Sequence, residues 1–347
     1  MQAWSNSESV ELTCLKKWQE TADTVSVELG SRHEDMVFDF KPGQFITLGI
    51  NMPEKLDYRA YSISSLAGQP RLKLTVKRVN QGLMSNYIVD HLDEGDQVSA
   101  LKPAGAFNCI DCPPTATKKV TLISAGCGIT PVMAMAQHWL ENEKDVDIDF
   151  IHTANNRLET IYFHELKELD RQHSNFNFKL LLNDSKGTDY PQGYLDKSWL
   201  ERLAPGIVSS TVYLCGPVGF MEDIESYLKE MNFDMSQFFQ ESFTPSEKDS
   251  NNAVEGSQGD VVKIMVPSFG VEVEAESDST LIDALEKGGV PVIAACRSGI
   301  CGSCKCKVTK GSITSSSTET LTPEEIEQGF VLACSSKVSG DVEIALS

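Results

Sequence analysis

The sequence predicts a multidomain chain of mixed α/β and β class: an antiparallel β-barrel, then a parallel α/β domain, then a small C-terminal α/β domain. Three observations carry that prediction. Up to about Gly105 the hydrophobic residues alternate in short segments, and after Pro113-Pro114 strands begin to alternate with helices. A polar stretch, SEKDSNNAVEGSQGD, reads as a flexible tether between the second pattern and the third. Beyond it lie five of the ten cysteines: Cys296, Cys301, Cys304, Cys306 and Cys334. The expected domains are therefore 1–112, 113–245 and 261–347, with 246–260 as linker.

At 347 residues the chain is too long for one ordinary core. Its 41% hydrophobic and 23% charged residues are the balance of a globular protein. A net charge of −20 argues against nucleic acid as a partner and suits docking through an acidic face. No run approaches the ~18 apolar residues of a membrane helix. MQAWSNSESV lacks the basic and apolar parts of a signal peptide. The expectation is a cytoplasmic protein without a membrane span, its thiols reduced.

In the first domain, ELTCLKKW, TVSVELG, QFITLGI, RAYSISS, RLKLTVKRV and DQVSALKP read as strands, and GLMSNYIVDHL as a helix. Several antiparallel strands at this spacing suggest a closed barrel. Along Arg59-Ala60-Tyr61-Ser62-Ile63, alternation puts Arg59, Tyr61 and Ile63 on one face and Ser62 on the other. An arginine pairs with phosphate, and a flat ring stacks on a flat cofactor. Gly82-Leu83-Met84-Ser85 opens a helix whose free N–H groups suit a phosphate. Cys109 and Cys112 form a C-x2-C with no second half to make a metal site, and read as structural.

In the second domain KVTLISAG is a buried strand and TPVMAMAQHWLEN a helix with proline in its first turn. Between them lies Gly126-Cys127-Gly128-Ile129-Thr130-Pro131, at the carboxyl end of a strand, where ligands bind on parallel sheets. Tyr213-Leu214-Cys215-Gly216-Pro217 ends another strand, and Glu241 lies on the last. No histidine stands near Cys215 in the sequence to activate it, so nucleophilic catalysis is rejected.

The third domain carries C-x4-C-x2-C at Cys296, Cys301 and Cys304, followed after a long step by Cys334. That is the ligand spacing of a plant-type [2Fe–2S] cluster. Zinc sites more often group their ligands in two close pairs. A disulfide framework fits poorly with a long chain lacking export signals.

The Arg59 strand and the Gly82 helix start together resemble the flavin domain of the ferredoxin–NADP reductase superfamily. That resemblance implies Arg59, Tyr61 and Ser62 at the flavin and Gly82, Leu83, Met84 and Ser85 at its phosphates, favouring FAD over FMN. The pairing of G-x-G-I-T-P with C-G-P resembles the same superfamily. It implies Gly126, Gly128, Thr130, Pro131, Cys215, Gly216 and Pro217 at the pyridine dinucleotide. Cys215, Glu241 and Ser62 are the expected catalytic set around the reacting rings. After the second strand, HTANNRLETIY holds Arg157 and Glu159 but no basic cluster for a 2′-phosphate, which favours NADH over NADPH. The C-terminal run, with its four ligands, is similar to a β-grasp ferredoxin domain and looks like the tail of the NADH-dependent reductases of hybrid cluster protein. The same domain order occurs in reductases of Rieske-type oxygenases, such as those of glycine betaine monooxygenases. The order implies a route from NADH through FAD and the cluster to an acceptor protein, with hybrid cluster protein the expected partner and a Rieske oxygenase the alternative. A non-enzymatic redox sensor is the reading from another class.

Overall fold

A computed structural model describes residues 9–31, 36–51, 56–243, 261–293, 297, 299, 302–318 and 320–346. The tether at 246–260 and the expected ligands Cys296 and Cys301 lie outside the described residues. Two compact units are present. The first holds the described residues up to Asn51 and from Tyr61 to Phe243, and the second those from Val261 onward together with 56–60.

The chain begins with β1 (Val10–Thr21), β2 (Thr24–Gly30), β3 (Phe45–Asn51), β4 (Leu56–Ser62), β5 (Arg71–Lys77), helix α1 (Leu83–Asp90) and β6 (Gln97–Ala104). Six strands order as β4-β3-β6-β1-β2-β5, and an antiparallel bridge from Ile63 to Leu74 joins the two ends. The alternation in the sequence explains the closure. In β5, Leu72, Leu74 and Val76 turn inward to meet Leu12, Val27, Leu29 and Ile63, all at 1% exposure or less. The expected barrel is therefore present, built of the expected strands.

Next come β7 (Lys119–Ala125), α2 (Ile129–Asn142), β8 (Asp147–Ala154), α3 (Phe163–Gln172), β9 (Phe176–Leu182), α4 (Lys197–Leu203), β10 (Thr211–Cys215), α5 (Val218–Glu230) and β11 (Phe238–Glu241). Their sheet orders as β11-β10-β7-β8-β9, parallel at every junction. Both faces are covered, which is why the strands read as continuous apolar runs. Val120, Leu122, Ile148, Phe150 and Tyr213 pack with Trp139 and Leu166 on one face. Ile123, Ile151, Val212 and Leu214 pack with Leu200, Ile224 and Leu228 on the other. Each fully buried side chain such as Phe150 contributes about 1.5–3 kcal/mol. Cys109 belongs to the first of these cores, and Tyr213 donates its phenolic hydrogen bond to the Cys112 carbonyl. This accounts for the C-x2-C pair as packing.

The second unit has β12 (Val261–Val266), β13 (Val271–Glu276), α6 (Leu281–Lys287), β14 (Lys305–Lys310), β15 (Ile313–Ser315), α7 (Pro323–Glu327), β16 (Phe330–Leu332), β17 (Ser336–Val338) and β18 (Val342–Leu346). Five strands order as β13-β12-β18-β14-β16, with β15 and β17 paired separately. β12 and β13 pair as an antiparallel hairpin. Val262, Ile264 and Val266 face α6 residues Leu281 and Leu285 in one core. Thr322 and Glu325 form a reciprocal cap at the start of α7. In VLACSS the strand stops at Leu332, and Cys334 sits in a 3-10 turn before β17. Among the described residues no helix is long and apolar enough to cross a membrane.

Candidate functional site

On β4, the Arg59 guanidinium lies 2.9 Å from Asp57 Oδ1, and its side chain keeps 39% of its surface exposed. Asp57 is buried, and its Oδ2 has no hydrogen-bond partner. A buried carboxylate oxygen in want of a donor, beside an accessible guanidinium, fits a ligand that carries both hydroxyl and phosphate groups. Ser62, at the strand's end, is buried at 6% exposure. Helix α1 starts at Leu83 after Gly82 with no side-chain cap, which leaves its first-turn N–H groups to a ligand. Met84 and Ser85 are buried there, and the Ser85 hydroxyl accepts from the Val79 N–H at 3.2 Å.

The G-x-G loop is a 3-10 turn, Gly126–Gly128, leading directly into α2. Gly128 has to be glycine, because a Cβ there would stand 2.2 Å from the Cys215 carbonyl oxygen. The loop therefore packs onto the end of β10, which brings the G-x-G and C-G-P motifs into one place. Thr130 is buried and donates to the Cys127 carbonyl at 3.0 Å, so it braces the loop. Pro131 is buried in the same turn.

Sequence reading missed one arrangement here. Glu241 pairs in register with Cys215, Cys215 with Ser124, and Ser124 with His152, across β11, β10, β7 and β8. Register partners on parallel strands point to the same face, so a carboxylate, a thiol, a hydroxyl and an imidazole form one row. Ser124 Oγ and His152 Nδ1 are 2.8 Å apart, and Nε2 of the same ring is buried without a partner. Burial holds the His152 imidazole down at about 3, so it is neutral. Burial, and then the Glu241 carboxylate, pushes the Cys215 thiol well above its usual value. A protonated, desolvated thiol cannot serve as a nucleophile, in keeping with the rejection made from the sequence.

In the second unit Cys304 and Cys334 are both buried, and both sulfurs accept backbone hydrogen bonds. The Cys334 N–H points at Cys304 Sγ at 3.4 Å, and the Gly299 N–H at Cys334 Sγ at 3.2 Å. Donors aimed at sulfur stabilise anionic thiolate, which is what a cluster requires. Gly299 has φ +76, and a Cβ there would stand 2.7 Å from Ser317 Cβ, so the turn that delivers this N–H depends on glycine. Arg297 ties the loop back to α6 through Asp283 at 3.0 Å and Glu286 at 2.7 Å. Cys306 is fully buried, its thiol pushed up to about 12 by burial and by neighbouring Cys304. It is a core residue of β14.

Comparison with known proteins accounts for all three regions. Residues 11–109 match the oxidoreductase FAD-binding domain, 122–226 the oxidoreductase NAD-binding domain, and 264–339 the 2Fe-2S iron-sulfur cluster binding domain. The glycine betaine monooxygenase reductase subunit of Pseudomonas aeruginosa is 32% identical, over 99% of this chain and 96% of its own. NADH oxidoreductase HCR of Escherichia coli is 33% identical, over 94% of each chain. The crystal structure of phthalate dioxygenase reductase shares the fold, with a TM-score of 0.65 at 22% identity, over 97% of this chain and 98% of that one. The chain belongs to the family of NADH-dependent oxidoreductases that join FAD-binding, NAD-binding and [2Fe–2S] domains. It is an oxidoreductase, with FAD, NADH and a [2Fe–2S] cluster as its cofactors.

Proposed function

We propose that the protein takes electrons from NADH, passes them through FAD and the cluster, and delivers them to an acceptor protein, hybrid cluster protein. The cofactors supply the redox chemistry: a flavin accepts a hydride and releases electrons singly, and a [2Fe–2S] cluster carries one at a time. The protein supplies positions. Arg59, Tyr61 and Ser62 hold the flavin, and Gly82, Leu83, Met84 and Ser85 its phosphates. Gly126, Gly128, Thr130, Pro131, Gly216 and Pro217 form the dinucleotide seat. Cys215 lies against the nicotinamide, its burial keeping it neutral beside the ring, and Glu241 stands beside it in the row. Cys296, Cys301, Cys304 and Cys334 ligate the cluster. Domains at 1–112, 113–245 and 261–347, joined by a tether at 246–260, complete the wire.

The observation that carries the proposal is the pair of sulfurs Cys304 and Cys334, each receiving a backbone N–H, on a chain that also holds the packed G-x-G and C-G-P motifs. The likeness to NADH oxidoreductase HCR over 94% of each chain supports hybrid cluster protein as the acceptor. A second reading, reductase of a Rieske-type oxygenase, is favoured by the P. aeruginosa relative. Acceptor-dependent NADH oxidation with each purified partner separates the two. Stimulation by hybrid cluster protein is the expected result, and stimulation by the oxygenase alone would overturn that choice.

A further inference from the structure

The nucleotide-binding sheet and the barrel belong to one compact unit, and a buried chain of hydroxyls crosses between them. Tyr162 immediately precedes α3 and is 2% exposed. Its hydroxyl donates to Ser64 Oγ at 2.9 Å, and Ser64 in turn donates to the Lys73 carbonyl at 3.1 Å. With its own proton committed to Ser64, Tyr162 Oη accepts from Thr75 Oγ1, its other hydroxyl neighbour. Ser64 and Thr75 are barrel residues. Ser64 follows Ser62 of the Arg59 strand by two positions, and Thr75 lies on β5.

Thr75 holds a second element of the nucleotide domain. Its carbonyl accepts from the Cys127 thiol at 3.6 Å, in the middle of the dinucleotide loop. Around the phenol, Lys73 Nζ lies 4.5 Å over the Tyr162 ring and 3.1 Å from Glu165 of α3. Glu165 also accepts from Gln137 of α2 at 2.7 Å. Tyr162 is held at φ +59 and ψ +23, a left-handed conformation that a bulky side chain adopts only when its surroundings impose it. The backbone is bent so that this ring reaches β5.

We propose that Tyr162, through Thr75 and Ser64, is a positioning residue that sets the distance between the flavin on the barrel and the nicotinamide at the strand ends of the nucleotide domain. The assignment rests on the hydride route proposed above. Hydride transfer is steep in donor–acceptor distance, and a slip of about 1 Å costs on the order of a hundredfold. A loose packing contact tolerates such slips, whereas a directional hydrogen bond between buried hydroxyls resists them. Tyr162→Phe keeps the ring and its packing and removes the two bonds across the junction. Ser64 retains the Lys73 carbonyl, and Thr75 retains Ser26 Oγ at 2.6 Å, so neither hydroxyl is stranded.

The test is anaerobic rapid mixing of the FAD- and cluster-loaded protein with NADH, following flavin bleaching and the long-wavelength charge-transfer absorbance between flavin and nicotinamide. In Tyr162→Phe the charge-transfer absorbance should weaken, and the limiting rate of flavin reduction should fall roughly tenfold. The dissociation constant for NADH should stay within about twofold, because the dinucleotide seat itself is untouched. Thr75→Val removes one of those two bonds from the barrel side, leaves the one from Tyr162 to Ser64, and should show a smaller loss of the same kind. The double variant should be no worse than Tyr162→Phe alone, since the bond that Thr75→Val deletes is already absent there. If Tyr162→Phe does not fold, Thr75→Val carries the test. A variant with wild-type absorbance and rate, whatever its melting temperature, would overturn the latch. Wild-type flavin left unbleached by NADH would overturn the hydride route itself, and the latch with it.

Discussion

Three cysteines of the first compact unit, Cys14, Cys109 and Cys215, and two of the second, Cys304 and Cys334, occupy different electrostatic surroundings. Cys14, Cys109 and Cys215 are desolvated, each with a carboxylate nearby: Glu94, Glu143 and Glu241 respectively. Burial first and those carboxylates second push the Cys14 thiol up to about 11 and the Cys109 thiol up to about 12. Cys304 and Cys334 are equally buried but receive backbone N–H groups on sulfur. Burial alone therefore does not decide what a cysteine does. Within the second unit Cys306 stands apart from Cys304: two residues away, it is buried in the core with its thiol pushed up to about 12.

The largest effect that follows is at Cys304. Cys304→Ser should abolish the visible bands of the cluster and cut acceptor reduction by more than about 100-fold, since even the partners of metal ligands are worth about 10–100-fold. Flavin reduction by NADH should survive. Cys306→Ser should keep the cluster bands and lose only about 1 kcal/mol of stability. If Cys306→Ser bleached the cluster and Cys304→Ser spared it, the two residues would have to exchange roles.

A smaller effect is expected at Cys215. Cys215→Ser keeps a small neutral side chain but changes its size and polarity at the proposed nicotinamide seat. Flavin reduction should slow by about tenfold, the cluster bands remaining as in wild type. Stopped-flow absorbance at the flavin band reads the first outcome, and static spectra read the second. A loss of cluster bands would contradict the independence of the two thiol classes.

The smallest effect concerns the row beyond Cys215. His152 has a folded-state value of about 3 against an ordinary 6.5, so the unfolded chain binds its proton first on acidification. The stability that His152 contributes is complete above about pH 6.5 and is lost progressively as the pH falls toward 3. Melting temperatures of wild type and His152→Asn across that window should converge as the pH falls. Parallel curves would mean that the ring does not titrate on unfolding as described.

Much of this was legible in the sequence, and the reason differs by region. The barrel and the parallel sheet announce themselves through period, because strands with one buried face alternate and strands with two do not. Gly126, Gly128 and the C-G-P run were legible because backbone packing at Gly128 excludes a Cβ, and such a constraint leaves a glycine in the sequence. Spacing alone singled out Cys304 and Cys334. Ser124, His152 and Tyr162 were not legible. The first two meet only through strand register, and Tyr162 reads as one more apolar position at a helix start. α3 begins only at Phe163, and Tyr162 takes a left-handed turn before it. Hydrogen bonds between residues 87 apart, such as that from Thr75 to Tyr162, leave no local trace.

The central claim is that NADH reaches the cluster only by way of the flavin. Protein stripped of FAD with its cluster intact, mixed anaerobically with NADH, tests it directly. Electron paramagnetic resonance should show no reduced cluster, and the signal should appear once FAD is restored. A reduced-cluster signal in the flavin-free protein would contradict the account.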